Sequence, residues 1–105
     1  METEETLEYE IEHDGDDARV ILTGGVDLGT LDDLRAAIRE AATDGTTCIR
    51  LDFRAVDFID STGLSSVLGF HNDASRNGYE LSVIADDGPV RRAFELTGLA
   101  HVLAV

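Results

Sequence analysis

The chain has 105 residues, 43% of them hydrophobic, which suits one domain that buries roughly 65% of its unfolded surface. Eight arginines and no lysine stand against 22 acidic residues, so the net charge is −14 and the surface repels nucleic-acid phosphates and anionic lipid. The absence of lysine also excludes a P-loop, a kinase-type ATP site and Schiff-base chemistry.

A hairpin is predicted at the start of the chain. Apolar and acidic residues alternate over residues 7–12, as in a strand with one buried and one solvated face. The turn-forming residues 14–17 return the chain into a second strand over residues 18–23, which Gly24 and Gly25 are expected to end. We expect the acidic residues 1–6 to be disordered.

A helix of about 14 residues is predicted next. Thr30 is expected to cap it, with Asp33 three positions on as the acid of a capping box, and residues 44–45 are expected to end it. The core face of this helix is expected to contain Leu31, Leu34, Ala37, Ile38, Ala41 and Ala42.

The junction between the next strand and helix contains the candidate site. A strand is predicted over residues 48–53 and a helix over 62–76, so Ser61 lies at or next to an N-cap, among N–H groups without intrahelical partners. These donors would bind a phosphate on the Ser61 hydroxyl, but the same position also suits a hydroxyl that only caps the helix. As a cap, Ser61 would contribute about 0.5–2 kcal/mol.

The remainder of the chain predicts a strand over 81–85, a helix from Pro89 to residue 97 and a short last strand over 102–105. The inward face of this third helix is expected to contain Val90, Ala93, Phe94 and Leu96. Strands joined by helices predict an α/β fold. Its sheet should be mostly parallel, with four to five strands, an N-terminal hairpin at its edge and helices packed against it.

Other chemistries find little support. Cys48 is expected to be a buried core residue. His13, His71 and His101 are scattered without metal-ligand spacing, and His71 is expected to be structural. Asp57 and Asp60 are expected to stabilise a helix N-terminus. No glycine stands two positions before Ser61, as a hydrolase elbow requires. Since none of these residues forms a recognisable site, we expect no catalytic residue, metal or cofactor.

Three motifs resemble those of STAS domains, specifically the bacterial anti-sigma-factor antagonists, and the resemblance extends from Leu7 to the C-terminus. Residues 57–64 resemble the phosphorylation motif of that family, with Ser61 at the phosphoacceptor position. Residues 24–35 and 89–99 are the second and third matches, although Gly25 stands where the family commonly has an acidic residue.

The resemblance implies a STAS fold over residues 1–105 and a cytoplasmic regulator of transcription. Unmodified, it would bind an anti-sigma factor, a serine/threonine kinase of the histidine-kinase-like ATPase type, and so release a sigma factor. Phosphorylation of Ser61 would end the binding, and a PP2C-type phosphatase would restore it. The implied contact patch consists of Asp27, Asp60, Ser61, Thr62, Gly63 and Leu64. Thr62 and Ser65 are the fallback acceptors.

Two alternatives remain open. The domain could be a non-switching STAS subunit of a lipid-transport ABC complex, in which Ser61 only caps a helix. It could also bind a small anionic ligand or a nucleotide at the same helix N-terminus, although the charge of −14 disfavours a nucleotide.

Overall fold

Four strands and three helices follow one another in the computed structural model, which describes residues 6–104. The strands are β1 (Leu7–Asp14), β2 (Asp17–Val26), β3 (Cys48–Ile59) and β4 (Glu80–Ile84). The helices are α1 (Leu31–Ala41), α2 (Ser61–Ala74) and α3 (Pro89–Leu96). Short 3-10 turns occupy Leu28–Thr30, Ser75–Asn77 and Ala100–Val102. Disorder was predicted for residues 1–6; residues 1–5 lie outside the described part, and at residue 6 the prediction is wrong, because the carbonyl of Thr6 accepts the N–H of Gly25 over 3.0 Å.

The strands form one mixed sheet in the order β1-β2-β3-β4. The hairpin strands β1 and β2 pair antiparallel, whereas β2 with β3 and β3 with β4 pair in parallel. Parallel neighbours need a crossover connection, and α1 and α2 supply the two that this sheet requires. The predicted α/β fold with a hairpin at the edge of a mostly parallel sheet is confirmed.

The helices cover a single face of the sheet. Val20, Leu51 and Val83 are register partners and therefore lie on the same face, where all three are fully buried. Phe53 projects from that face and meets Phe94 of α3 edge-to-face, with ring centroids 6.2 Å apart. The alternate residues of the strands, such as Glu8 and Glu10, face solvent.

One carboxylate on the open face is nevertheless buried. Asp52 is only 4% exposed because Arg54 folds over it, and the Nε and Nη2 atoms of Arg54 donate to its two oxygens over 2.9 and 2.6 Å. These charge-assisted hydrogen bonds hold the pKa of Asp52 below its usual value. The sequence pattern gave no indication of this pair, since Asp52 alternates correctly as a solvent-facing residue.

The strands around the candidate site are longer than predicted. Gly24 and Gly25 do not end β2, which continues to Val26, and β3 runs on to Ile59 instead of stopping at residue 53. Gly24 has φ +122°, and a side chain there would collide with the carbonyl group of Thr6. The glycine therefore lets the chain pass closely while the ladder continues with a register shift.

The helices also differ in detail from the predictions. Helix α1 has 11 residues, and Ala42 lies just beyond it, half-buried. Of the residues expected to face inward in α3, Val90 and Phe94 are buried, but Leu96 is 78% exposed. Helix α3 ends at Leu96, and the side chain of this last residue faces solvent and not the core.

Two further predictions, the last strand and the burial of Cys48, are wrong. The last strand expected over 102–105 is replaced by the turn Ala100–Val102 and a single bridge between Val83 and Leu103, with residue 105 outside the described part. Cys48 is half-buried, because it is the first residue of β3, and its partial burial raises the pKa of the thiol.

Within residues 6–104 the longest helix has 14 residues, and none has the length and hydrophobicity that a transmembrane helix requires.

Candidate functional site

The contact patch lies where two parallel strands end side by side. Val26 and Ile59, the last residues of β2 and β3, are register partners, and the N–H of Asp60 donates to the carbonyl of Val26 over 3.2 Å. Asp27 and Asp60 therefore each follow directly on a strand at the same edge of the sheet. The parallel pairing brings together two residues that are 33 positions apart in the sequence.

Asp60, and not Ser61, caps α2. Its Oδ1 atom accepts the N–H of Gly63 over 2.8 Å, and its carbonyl accepts the N–H of Leu64 over 2.9 Å. A carboxylate in this position satisfies an orphan donor and stabilises the positive end of the helix dipole. Asp60 thus has the helix-terminal role that the sequence indicated, whereas the same prediction for Asp57 is wrong, because Asp57 lies within β3. The capping role considered for Ser61 is wrong, because Ser61 is already the first residue of the helix.

The residues after the cap divide into an exposed and a buried pair. Ser61 is exposed and Thr62 half-buried, whereas Gly63 and Leu64 are buried against the strand ends. A Cβ atom on Gly63 would lie 2.8 Å from the carbonyl oxygen of Val26. Gly63 therefore allows the first turn of α2 to approach β2 closely, and Ser61 remains on the outside of that turn.

Ser61 keeps neighbouring donors in spite of the cap. The first intrahelical bond of α2 begins at Leu64, so the N–H groups of Ser61 and Thr62 precede the hydrogen-bonded turn. An anion on the Ser61 hydroxyl would have these two donors in reach, with the carboxylate of Asp60 beside them. The helix terminus is therefore shared between an existing charge and any added one.

The neighbouring junction has a different cap. Asp27 and Thr30 form a reciprocal capping box: Asp27 Oδ1 accepts the N–H of Thr30, and Thr30 Oγ1 accepts the N–H of Asp27, both over 3.1 Å. Thr30 Oγ1 also donates to the carbonyl of Gly25 over 2.8 Å. The predicted capping box between Thr30 and Asp33 is wrong. The side chain of Thr30 makes no capping bond to α1, since it bonds backward to Gly25 and Asp27.

Two exposed apolar side chains next to these residues were missed by sequence reasoning. Leu28, directly after Asp27, is 73% exposed, and Phe58, two residues before Asp60, is 41% exposed. The available signal was a leucine among turn-forming residues, at a position where the periodicity of the flanking elements stops. Contiguous apolar patches with a polar rim mark surfaces that bind another protein, whereas single exposed apolar side chains are common on any protein.

The histidines are not scattered in space as they are in the sequence. His71 is half-buried and its Nδ1 atom lies 2.6 Å from the carbonyl oxygen of Leu81, whereas His101 lies close to it, with ring centroids 5.5 Å apart. No group of three or more His, Cys, Asp or Glu side chains suited to a metal occurs among residues 6–104. His13 lies on β1, exposed.

A family profile described as "Mlab, STAS domain" matches residues 9–104, nearly the whole chain. The chain belongs to the STAS family. The Anti-sigma F factor antagonist of Paenibacillus polymyxa is 31% identical to it over 101 residues, which cover 94% of this chain and 86% of the relative.

Solved STAS structures share the fold. An anti-sigma factor antagonist from Mycobacterium paratuberculosis superposes with a TM-score of 0.79 at 24% identity, covering 93% of this chain and 83% of the other. The Bacillus cell fate determinant SpoIIAA in its phosphorylated form has a TM-score of 0.64 at 24% identity, with 92% and 89% of the two chains covered. This STAS domain is therefore similar to anti-sigma factor antagonists in both sequence and fold.

Proposed function

We propose that this STAS domain is an anti-sigma factor antagonist that is switched at Ser61. While Ser61 is unmodified, the contact patch binds an anti-sigma factor, and the captured anti-sigma factor releases a sigma factor for transcription. The observation that carries the proposal is an exposed hydroxyl at the strand-to-helix junction, on the residue after the Asp60 cap. Residues 57–64 around it resemble the phosphorylation motif of the family, and the curated relative is named an anti-sigma F factor antagonist.

The partner we propose is a serine/threonine kinase of the histidine-kinase-like ATPase type, with a PP2C-type phosphatase that reverses its action. A kinase must fit the acceptor hydroxyl into its own active site, so the acceptor has to project from the surface. Ser61 meets this requirement in the first turn of α2, and no part of the fold must open to present it. The fallback acceptor Thr62 is half-buried, which makes it a poorer substrate.

Charge provides the switch. A phosphate adds roughly −1.5 to −2 charges beside the carboxylate of Asp60. In the free domain the N–H groups of Ser61 and Thr62, together with water, offset this charge, and SpoIIAA in its phosphorylated form has the same fold. In the complex the phosphate loses water and meets the acidic and nucleotide groups of the kinase. A penalty of ~3 kcal/mol would weaken binding about 100-fold.

Leu28 gives the proposed interface an apolar part. Its side chain stands exposed directly after Asp27, at the junction beside Ser61. A few residues that become fully desolvated contribute most of the binding energy in many interfaces, and the contacts around them exclude water. We expect the partner to cover Leu28 when it binds the contact patch. Replacing Leu28 by Asp should then weaken capture while the domain stays folded.

Affinity capture from the native host tests the proposal. Wild type and Ser61→Asp are used as baits, and Asn72→Asp is the matched control because it adds one negative charge to the exposed side of the same helix. We expect wild type and Asn72→Asp to retain an anti-sigma factor equally, and Ser61→Asp to retain at least tenfold less. Equal retention by all three baits would contradict the switch.

Incubation of the captured partner with ATP then locates the phosphate. We expect mass spectrometry to find it on Ser61, and Ser61→Ala to bind without being modified or released. A phosphate on Thr62 or Ser65 would move the switch to a fallback acceptor. A protein that is never phosphorylated and co-purifies with an ABC ATPase would favour the non-switching STAS subunit, and binding of a nucleotide to the isolated domain would favour the sensor.

A further inference from the structure

The C-terminal segment places His101 beside the C-terminal half of α2. His71 lies in α2 and His101 in the turn Ala100–Val102, and their rings meet edge-to-face at 5.5 Å with an interplanar angle of 77°. The segment is held there because Leu103 bridges to Val83 and the N–H of Ala104 donates to the carbonyl of Val83 over 2.7 Å. Tertiary structure thus pairs two imidazoles that the sequence separates by 30 positions.

The hydrogen bond of His71 determines which ring nitrogen is available. Its Nδ1 atom lies 2.6 Å from the carbonyl oxygen of Leu81, which can only accept, so Nδ1 carries the proton. In the neutral ring the Nε2 atom then carries the free lone pair. A histidine fixed through an Nδ1–H donation to a carbonyl is the usual arrangement of a metal-binding imidazole.

The ring separation suits a shared ion. With metal–nitrogen distances of about 2.0–2.1 Å and a tetrahedral angle, two imidazoles bound to one metal have centroids about 5 Å apart. The observed 5.5 Å is close to this value. His101 is exposed, so its ring can turn toward a bound ion without moving the backbone. The half-buried His71 supplies the fixed partner.

We propose that His71 and His101 together bind one divalent transition-metal ion, of the class to which Zn²⁺, Ni²⁺ and Cu²⁺ belong. Imidazole nitrogen suits these ions, and the net charge of −14 concentrates cations near the surface. The described residues offer no third His, Cys, Asp or Glu ligand, so water completes the coordination shell. The ion links the C-terminal segment to α2 at a distance of ten residues, about 15 Å along the helix, from Ser61.

Zinc titration of the full-length protein tests the site. The protein carries no polyhistidine tag, is treated with chelator and is then titrated with Zn²⁺ alone in a calorimeter. We expect one ion per chain and a melting temperature that rises with added Zn²⁺, because the ion binds only the folded pairing. His101→Ala should weaken binding at least tenfold and abolish the rise. His13→Ala, which removes an exposed histidine from β1, should change neither.

A second measurement does not depend on substitutions. In ¹⁵N-resolved spectra of the wild-type imidazoles, Zn²⁺ should shift the Nε2 resonance of His71 and a ring resonance of His101, and leave those of His13 in place. Absence of binding by the wild type would overturn the proposal. So would equal losses in His101→Ala and His13→Ala, or ring shifts distributed evenly over all three histidines, since these outcomes indicate an adventitious ion only.

Discussion

The two strand-to-helix junctions at the edge of the sheet both have an aspartate cap. They differ in the environment of the hydroxyl residue that follows it. After β2, Asp27 and Thr30 cap each other; Thr30 is only 2% exposed, and its hydroxyl is bonded to the carbonyl of Gly25. After β3, Asp60 caps the helix by itself, and the next hydroxyl, on Ser61, is exposed. Both junctions hold an acidic cap and a hydroxyl residue within three positions.

The difference shows how a fold can bury one hydroxyl and keep the other exposed. At the first junction the hydroxyl lies three residues after the aspartate, where it bonds back to the turn and is inaccessible to solvent. At the second it lies one residue after the acid, on the outer side of the helix. Because Asp60 already caps α2, the Ser61 hydroxyl is not needed as a cap and stays exposed.

Removal of the Thr30 hydroxyl should have the largest effect on this comparison. Thr30→Val leaves the N–H of Asp27 and the carbonyl of Gly25 without their partner, so we expect a loss of about 3 kcal/mol in the free energy of unfolding. Thr30→Ser keeps the hydroxyl and should lose much less. Urea unfolding of both variants measures the difference. A loss in Thr30→Ser without a loss in Thr30→Val would mean that packing of the Thr30 methyl group, and not the hydrogen bonds, holds the first junction.

Gly63→Ala should have the next largest effect, because it tests the contact between the two junctions. Alanine favours a helix by about 1 kcal/mol, but its Cβ would lie 2.8 Å from the carbonyl oxygen of Val26. Overpacking of this kind costs about 1–3 kcal/mol, so after the helix gain we expect a net loss of up to about 2 kcal/mol.

Gly69→Ala is the control within the same helix, since a Cβ there meets no atom within 4 Å. It should stabilise the domain by up to about 1 kcal/mol. Thermal unfolding of the two variants gives opposite signs if the close approach of α2 to β2 is the reason for Gly63. A stability change of the same sign in both variants would mean that the close approach does not explain the glycine at position 63.

Asp60→Ala should have a smaller effect, since it deletes the cap of α2 while the packing stays. We expect a loss of about 1 kcal/mol in unfolding free energy, and near-wild-type stability in Asp60→Asn, which retains an acceptor for the N–H of Gly63. Chemical denaturation of the pair separates the hydrogen bond from the charge. An equal loss in Asp60→Asn would assign the effect to the helix dipole.

The smallest effect is expected at Ser61 itself. Ser61→Ala should change the unfolding free energy by less than about 0.5 kcal/mol, as an exposed first-turn residue whose cap is supplied by Asp60. Differential scanning calorimetry measures it. A loss of 1 kcal/mol or more would show that Ser61 has a capping role after all and that the two junctions are not as different as their hydrogen bonds indicate.

The sequence by itself determined the fold class and the location of the candidate site. Alternation in the strands and helical spacing around Leu34 and Phe94 indicate which faces are buried, because burial of apolar surface is periodic along each element. The motif at residues 57–64 indicated Ser61 without a structure. Local pattern also predicted that Asp60 would stabilise a helix N-terminus.

Only the tertiary structure decided which residue caps which turn and which distant residues meet. The Asp27–Thr30 box depends on the backward bond to Gly25, and the continuation of β2 past its glycines depends on the neighbouring strands. The pairing of His71 with His101 follows from the bridge between β4 and the C-terminal segment. These features depend on contacts between residues far apart in the chain. Periodicity indicates which face of an element is buried, but it does not indicate which other element covers that face.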